Sequence, residues 1–102
     1  MFLFTGEAGE SFGYNDGWNA DGTFRYSGEG QFGDMKFARG NLAIRDHAIN
    51  GKDLHLFQTI GRGRTRYIGQ MEYVGHDLVP DVPDRHGKQR TAISFHLRCV
   101  VT

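Results

Sequence analysis

Aromatic and acidic side chains are interleaved with glycine and asparagine in one stretch near the start of the chain. Tyr14, Asp16 and Trp18 occupy a polar, glycine-rich run, whose composition favours turns over regular structure. Phe24–Ser27 then alternates apolar or aromatic with polar residues, which predicts a short half-buried strand that presents Tyr26 beside the loop. Rings and a carboxylate on an irregular loop indicate a binding site.

Each of these residues also has a structural interpretation. Asp16 and Asp21 are of a type that often stabilises turns through its own side chain. Tyr14 and Tyr26 are equally typical of core or strand-edge packing, and a single Trp such as Trp18 is more often packed against the fold than inserted into DNA. The residue types alone therefore leave binding and packing open.

Several uncommon short sequence motifs follow this loop. Gly-Glu-Gly-Gln lies at residues 28–31, Gly-Asp-Met at 33–35 and Gly-Lys-x-Leu-His-Leu-Phe at 51–57. With the preceding Gly-Tyr-x-Asp-Gly-Trp and Phe-Arg-Tyr, their order resembles the SRA domain, also called the YDG domain, and within it the N-terminal reader domain of bacterial McrA-like HNH endonucleases. The resemblance is tight over about half of the chain and looser over most of the rest. Tyr67-Ile68-Gly69 stands where the family has Tyr-Asp-Gly, so the acidic residue of the name motif is absent.

This resemblance implies both a fold and a function. The fold would be α+β but mainly β, a curved, partly closed antiparallel barrel of the PUA-like type with one main covering helix. The function would be binding of 5-methylcytosine or a related modified cytosine in double-stranded DNA by base flipping, as the noncatalytic specificity module of a type IV, modification-dependent restriction endonuclease. The implied partners are modified duplex DNA and an HNH nuclease domain, in the same longer chain or in a partner. No cofactor is expected.

Carried over by position, the resemblance implies a modified-base pocket formed by Tyr14, Asp16, Tyr26 and Ser27. Extruding a base costs a few kcal/mol, and stacking on an aromatic ring returns about 1–3 kcal/mol, so two tyrosine rings roughly offset the cost. The Asp16 carboxylate would accept from the N4 amino group of cytosine and repel the carbonyl of thymine. Burying one methyl group is worth only about 0.8 kcal/mol. Selectivity for methylation would therefore need the shape of the pocket.

A basic turn at residues 61–66 is a second candidate for contact with DNA. If the run is extended, alternation places Arg62, Arg64 and Arg66 on one face, where they could clamp phosphates. A solvated hairpin tip explains the same pattern equally well. Trp18 is the other residue expected to touch DNA. The 12 basic and 12 acidic residues cancel, which argues against binding dominated by phosphate contacts.

Other chemistry has weaker support in the sequence. The five histidines have no spacing typical of a zinc site, so no metal is expected. The glycines at positions 28, 30 and 33 match the dinucleotide-binding spacing, but no βαβ unit accompanies them. Two alternatives remain open. One is a small metal-dependent nuclease that uses Asp and His residues, and the other is a barrel that binds single-stranded nucleic acid or a small ligand without selectivity for modification.

The elements that position these residues follow from periodicity and turn signals. A length of 102 residues predicts one domain, and fifteen glycines favour short strands and turns. Strands are expected at Phe2–Thr5, 53–58, 67–74 and 91–101, and a helix at 42–50 with Asn41 as its N-cap and Gly51 past its end. Pro80 and Pro83 predict a long hairpin connection at 76–89, in which residues 84–88 form a solvated tip.

Cys99 lies on the apolar face of the last predicted strand and is expected to be a small buried core residue. The sequence has no signal peptide and no apolar run long enough to span a membrane. We therefore expect a cytoplasmic, nucleoid-associated bacterial protein that contacts no membrane. Residues 1–102 are expected to form a single SRA-like domain. A truncated N-terminus is one interpretation, because the family has preceding sequence that helps to grip DNA.

Overall fold

The computed structural model describes residues 1–6, 16–30 and 32–100. Within these ranges six strands form one sheet and a short helix packs against it. The strands are β1 (Phe2–Thr5), β2 (Gly17–Trp18), β3 (Phe24–Ser27), β4 (Leu54–Gly61), β5 (Arg64–Pro83) and β6 (Gln89–Cys99), and the helix is α1 (Arg39–Arg45). Nowhere in the described ranges is a helix long and apolar enough to cross a membrane. The expected mainly β architecture is confirmed.

The sheet is curled into a half-barrel that stays open along one side. The strand order β1-β4-β5-β6-β3-β2 places β1 at one edge and the short β2, paired with β3, at the other. Every pair is antiparallel except β1 with β4. The chain between β1 and β4 passes through β2, β3 and α1, which gives it the length that a parallel return needs. The partly closed barrel is confirmed, and the antiparallel prediction is wrong for this one pair.

The core lies inside the curl and is built mainly on β4, β5 and β6. Ile93, Phe95 and Leu97 of β6 are buried, as the alternation of the sequence predicted. The other buried members of the cluster are Leu3, Phe24, Ile44, Leu54, Leu56 and Met71. Truncating a buried ring such as Phe95 to alanine typically costs about 3–5 kcal/mol. The core therefore holds the middle of the sheet.

The helix prediction was wrong in its bounds. α1 spans Arg39–Arg45, and Ala38 is its N-cap without a side-chain hydrogen bond. Asn41 lies inside the helix and is only 2% exposed, because its amide is used in tertiary hydrogen bonds. Gly51 has a φ of 66° and ends the turns that follow the helix.

The predicted connection at residues 76–89 is largely strand. β5 continues to Pro83 and pairs with β6 beyond the point where its pairing with β4 ends. This half of β5 has one free edge, so Pro80 and Pro83 can be accommodated without a donor on that side. The register also shifts between Val79 and Val82, and Asp81 between them has a φ of 61°. A strand with a bulge at Pro80 and Asp81, and with one edge unpaired in the described sheet, was therefore misread as a loop.

The tip of this hairpin is held by one buried carboxylate, Asp84. Its Oδ1 accepts from the backbone N–H groups of His86 at 2.9 Å and Lys88 at 3.0 Å. Its Oδ2 accepts from the N–H of Gly33 at 3.2 Å. Burial acts to raise the pKa of Asp84, but these backbone donors outweigh it and hold the pKa below its usual value of 3.8. The tip is therefore an organised turn tied to a neighbouring segment.

Cys99 was expected in the core, and that prediction was wrong. The thiol is exposed at the end of β6, where its Sγ lies 3.7 Å from the Sδ of buried Met71. Strand alternation assigns the face of a residue, but it does not reveal where the core beneath that face ends.

Candidate functional site

A cavity of about 390 Å³ opens on the open side of the half-barrel. One wall is β1 with Met1, and the opposite wall is the end of β3 with the residues that follow it. Its polar lining comprises Asp16, Tyr26, Ser27, Glu29, Asn41 and Arg90. The cavity thus lies where the two ends of the curled sheet approach each other.

Asp16 joins these two ends. Its Oδ2 accepts from the Oγ1 of Thr5 at 2.5 Å, and its Oδ1 accepts from the backbone N–H of Ser27 at 2.8 Å. Both partners are distant in sequence, so the carboxylate is not a local turn residue. Asp21, in contrast, is a local turn residue, because it accepts from the N–H and the hydroxyl of Thr23. These bonds lower the pKa of Asp21. Asp16 therefore bridges the gap between β1 and β3, which we call the seam, and it also contributes to the cavity lining.

Tyr26 makes the second contact across the seam. Its hydroxyl donates to the carbonyl oxygen of Phe4 at 3.3 Å. Burial, and next the negative charge of Asp16, raise the pKa of Tyr26 to about 12. The phenol is consequently a neutral hydrogen-bond donor at physiological pH.

Three of the four predicted pocket residues, Asp16, Tyr26 and Ser27, line the same cavity. Their roles in binding a base stay predictions. The fourth, Tyr14, lies outside the residues that the structure describes.

The wall that follows β3 is fixed by Asn41, a residue that the sequence did not single out for this role. Its Oδ1 accepts from the N–H of Glu29 at 2.8 Å, and its Nδ2 donates to the carbonyl oxygens of Glu29 and Lys36. The Glu29 carboxylate in turn accepts from the N–H of Gly40 at 2.7 Å. A Cβ at position 40 would lie only 2.7 Å from that carboxylate oxygen, so a larger residue there would displace the Glu29 carboxylate. In the sequence, an asparagine directly before the predicted helix was visible, but it indicated an N-cap and not a tertiary contact.

A second cavity, of about 420 Å³, lies beside Gly17 and Trp18 and shares Asp16 with the first. Trp18 is 51% exposed, and its ring meets Phe24 edge-on with centroids 5.1 Å apart. Tyr67 and Arg66 complete the lining on the β5 side. Trp18 therefore packs against the fold with one edge and presents much of its surface to solvent.

The basic turn lies at the exposed end of the β4–β5 hairpin. Arg64 and Arg66 belong to β5, whereas Arg62 lies in the turn that precedes it. Strand alternation therefore places only Arg64 and Arg66 on a common face, so the three-arginine face was wrong. Arg66 donates to the Oε1 of Gln58 at 2.6 Å and is the one predicted arginine in the described cavity linings.

The histidines of the described part of the chain are engaged in separate structural contacts. His47 donates from Nδ1 to the carbonyl oxygen of Lys52 at 2.8 Å and accepts at Nε2 from the N–H of Tyr73 at 3.0 Å. His55 bonds to Tyr67, and His76 bonds to Tyr73. His86 stacks on Phe32, and His96 pairs with Asp77. Among the described residues no group of three His, Cys, Asp or Glu side chains is placed to hold a metal ion.

The curled, mainly β half-barrel is shared with SRA/PUA-like structures. A family model described as the SRA domain of ScoMcrA-like proteins matches residues 1–102, and the chain belongs to this family. The resemblance seen in the sequence is thereby confirmed. No curated protein matches the chain.

Solved structures share the fold at low sequence identity. One contains the sulfur-binding and SRA domains of ScoMcrA with phosphorothioated DNA, with a TM-score of 0.73, 22% identity and coverage of 99% of this chain and 30% of that chain. A second is the SUVH5 SRA domain with methylated CHH DNA, with a TM-score of 0.68, 20% identity and coverage of 99% and 63%. A third is SUVH5 SRA bound to fully hydroxymethylated CG DNA, with a TM-score of 0.64, 20% identity and coverage of 99% and 65%. This chain therefore spans less than two thirds of each of these.

Proposed function

We propose that this domain binds modified cytosine in double-stranded DNA by receiving the flipped base in the seam cavity. The observation that carries the proposal is the meeting of Asp16 and Tyr26 in that cavity, in a chain of the SRA family. The DNA in the structures of its relatives is methylated, hydroxymethylated or phosphorothioated, which supports a modified duplex as the ligand.

Asp16 is suited to read the amino edge of cytosine. A carboxylate has about four lone-pair sites, and the seam uses one on each oxygen. Each oxygen can therefore accept one more hydrogen bond, which the N4 amino group of cytosine would donate. Thymine presents a carbonyl at that position and would be repelled. Asp16 thus selects cytosine, while the cavity wall must select the modification.

Tyr26 provides a stacking surface for the extruded base. Its hydroxyl is held by Phe4, which limits how far the ring can move away from the cavity. Stacking on one ring returns about 1–3 kcal/mol, and a second ring is needed to offset extrusion fully. We assign the second ring to Tyr14, in keeping with the family resemblance.

We assign DNA cleavage to an HNH nuclease domain in the same longer chain or in a partner. The ScoMcrA structure contains a sulfur-binding domain together with an SRA domain, which supports a multidomain context. The complete protein would then act as a modification-dependent restriction endonuclease on DNA in the bacterial cytoplasm.

The test is a titration of four ligands of identical sequence: duplexes with 5-methylcytosine, 5-hydroxymethylcytosine or cytosine at one position, and a single strand. We expect the modified duplexes to bind most tightly, and a 2-aminopurine next to the target to brighten on binding because flipping unstacks it. Tyr26→Leu should abolish the preference. The matched control is Tyr73→Leu, because Tyr73 lies in neither cavity lining.

Equal affinity for all four ligands would refute the proposal. Preference for the single strand would support the alternative of an unselective barrel. Cleavage of DNA by the isolated chain with Mg²⁺ or Mn²⁺ would support the nuclease alternative.

A further inference from the structure

Arg90 is a buried cation beside the seam cavity. Its side chain is 4% exposed and belongs to the cavity lining. It lies near the start of β6, opposite Val82 of β5. The ion pairs in the described part of the chain are Arg45 with Asp46, His96 with Asp77 and Arg98 with Glu72. Arg90 therefore has no carboxylate partner there.

The guanidinium is instead directed at the backbone of the neighbouring segment. Its Nη1 donates to the carbonyl oxygens of Gly30 at 2.9 Å and Gly33 at 3.2 Å. Both glycines have positive φ, of 142° and 68°, so their carbonyls reach positions that other residues rarely offer. One nitrogen thus ties Gly30 to Gly33.

The rest of the guanidinium is not satisfied. Nε and Nη2 are buried and have no hydrogen-bond partner among the described residues. Buried donors without partners are uncommon and costly, and a well-packed apolar residue often stabilises a fold as well as or better than a buried charge. Stability alone therefore does not explain an arginine at this position.

Residues 33–35 are also tied to the hairpin of β5 and β6 at other points. Asp84 accepts from the N–H of Gly33, and the N–H of Thr91 donates to Oδ1 of Asp34 at 2.7 Å. The N–H of Met35 donates to the carbonyl oxygen of Thr91 at 2.9 Å. Among these ties, the one from Arg90 is made by a side chain of the cavity lining.

We propose that Arg90 is a positioning residue that sets the selectivity of the cavity for the modified base. By fixing the carbonyls of Gly30 and Gly33 it holds the wall formed by Gly28, Glu29 and Gly30 at the distance that fits the extruded base. Burying a methyl group is worth only about 0.8 kcal/mol, so selectivity beyond about fourfold has to come from such a wall. This inference rests on the proposed function of the same cavity.

The test compares three variants of the whole domain. Arg90→Met keeps much of the side-chain length and removes every N–H donor, whereas Arg90→Lys keeps the charge and can still donate to both carbonyls. Arg98→Met is the matched control, because Arg98 lies on the same strand but forms an exposed pair with Glu72. Each is titrated with the same duplex carrying either 5-methylcytosine or cytosine, and near-ultraviolet circular dichroism reports folding.

For Arg90→Met we expect the ratio of the two affinities to fall at least about fivefold, about 1 kcal/mol. Affinity for the unmodified duplex should stay within about twofold of the parent. Arg90→Lys should recover part of the ratio, and Arg98→Met should match the parent. A folded Arg90→Met that keeps the parental ratio would overturn the proposal, whatever its melting temperature.

Gly30→Ala tests the same wall with Arg90 intact and decides the matter if Arg90→Met does not fold. The added Cβ would lie 3.3 Å from Cγ of Met35 at a φ of 142°, so the wall must shift. We expect the same loss of ratio, and a parental ratio in this variant would count against the proposal. If the parent itself does not prefer the modified duplex, the proposed function fails instead.

Discussion

Replacing Asp16 by asparagine should separate closure of the seam from recognition of cytosine. An asparagine can keep its oxygen towards the N–H of Ser27 and turn its NH₂ group towards Thr5. The Thr5 hydroxyl now donates to Oδ2 of Asp16, but a hydroxyl can also accept. Both seam contacts therefore survive in neutral form.

The expected cost in stability is small. A hydrogen bond to a charged group contributes about 1.5–3 kcal/mol and a neutral one about 0.5–1.5 kcal/mol. Two such exchanges would lower the free energy of unfolding by about 2–3 kcal/mol in full, and by less at this partly buried site. Asp16→Ala removes both contacts and should cost more. Urea unfolding followed by circular dichroism measures all of these.

The expected cost in recognition is large. The NH₂ group can no longer accept from the N4 amino group of cytosine and presents a donor to a donor. The amide oxygen that remains lacks the negative charge that strengthens a hydrogen bond to a carboxylate. We expect affinity for the modified duplex to fall about 10- to 100-fold, equivalent to about 1.4–2.8 kcal/mol. Thr5→Val is the matched control, because it removes one seam contact and leaves the carboxylate in place. It should lose stability and keep the preference for modified DNA.

The result that would refute this reasoning is a folded Asp16→Asn variant with the parental affinity and preference. Asp16 would then act only in the seam, and the amino edge would have to be read by another group. Loss of preference in Thr5→Val would also contradict it, because selectivity would then depend on the seam and not on the carboxylate.

Three further predictions follow from the described contacts. The phenol of Tyr26 should titrate near pH 12, two units above the usual value of 10, and absorbance at 295 nm in the parent and in Tyr26→Phe measures this pKa. Because the folded state favours the neutral phenol, its contribution to stability should be complete below pH 10 and should fade as the pH rises to 12. If the parent shows no tyrosine that titrates later than in Tyr26→Phe, the burial argument is wrong. The lowered pKa of Asp84 stabilises the fold above pH 3.8 and is lost as pH falls through the folded value, so the difference in unfolding free energy between the parent and Asp84→Asn should shrink in acid; a difference independent of pH would contradict the assignment. Replacing Arg64 by glutamine should weaken binding to modified and unmodified duplexes alike and reduce the salt slope of log K by about 0.9, with Arg98→Gln as a control, and an unchanged slope would remove the basic turn from the interface.

The regular parts of the fold could be predicted because strand alternation is a local property. Ile93, Phe95 and Leu97 sit on the buried face as their spacing requires. The words around Tyr26 and Asp16 identified the family, which in turn supplied the barrel. Neither residue's partner across the seam, Phe4 or Thr5, could be read from spacing, because such contacts depend on how the sheet curls.

The errors came from residues whose surroundings override their local preference. Pro80 and Pro83 signal a loop, but a strand with one free edge accommodates them. Asn41 looks like a helix cap, yet its amide is used by Glu29 and Lys36. Arg90 was not singled out in the sequence, and its burial depends on its hydrogen bonds to the carbonyls of Gly30 and Gly33. The contacts of Asn41 with Glu29 and of Arg90 with the two glycines join residues that are far apart in the sequence.

Under the proposed function, the position of the cavity lets a base enter without disrupting the fold. No strand pairing joins β1 to β3 in the described sheet, so the seam there relies on side chains, with Thr5 bonded to Asp16 and Tyr26 bonded to Phe4. Adjusting these contacts costs at most a few kcal/mol, which is less than breaking a ladder of backbone bonds. The same side chains that close the empty seam can therefore turn towards a ligand. A closed barrel would bury its backbone edges completely, and it would leave no such entrance.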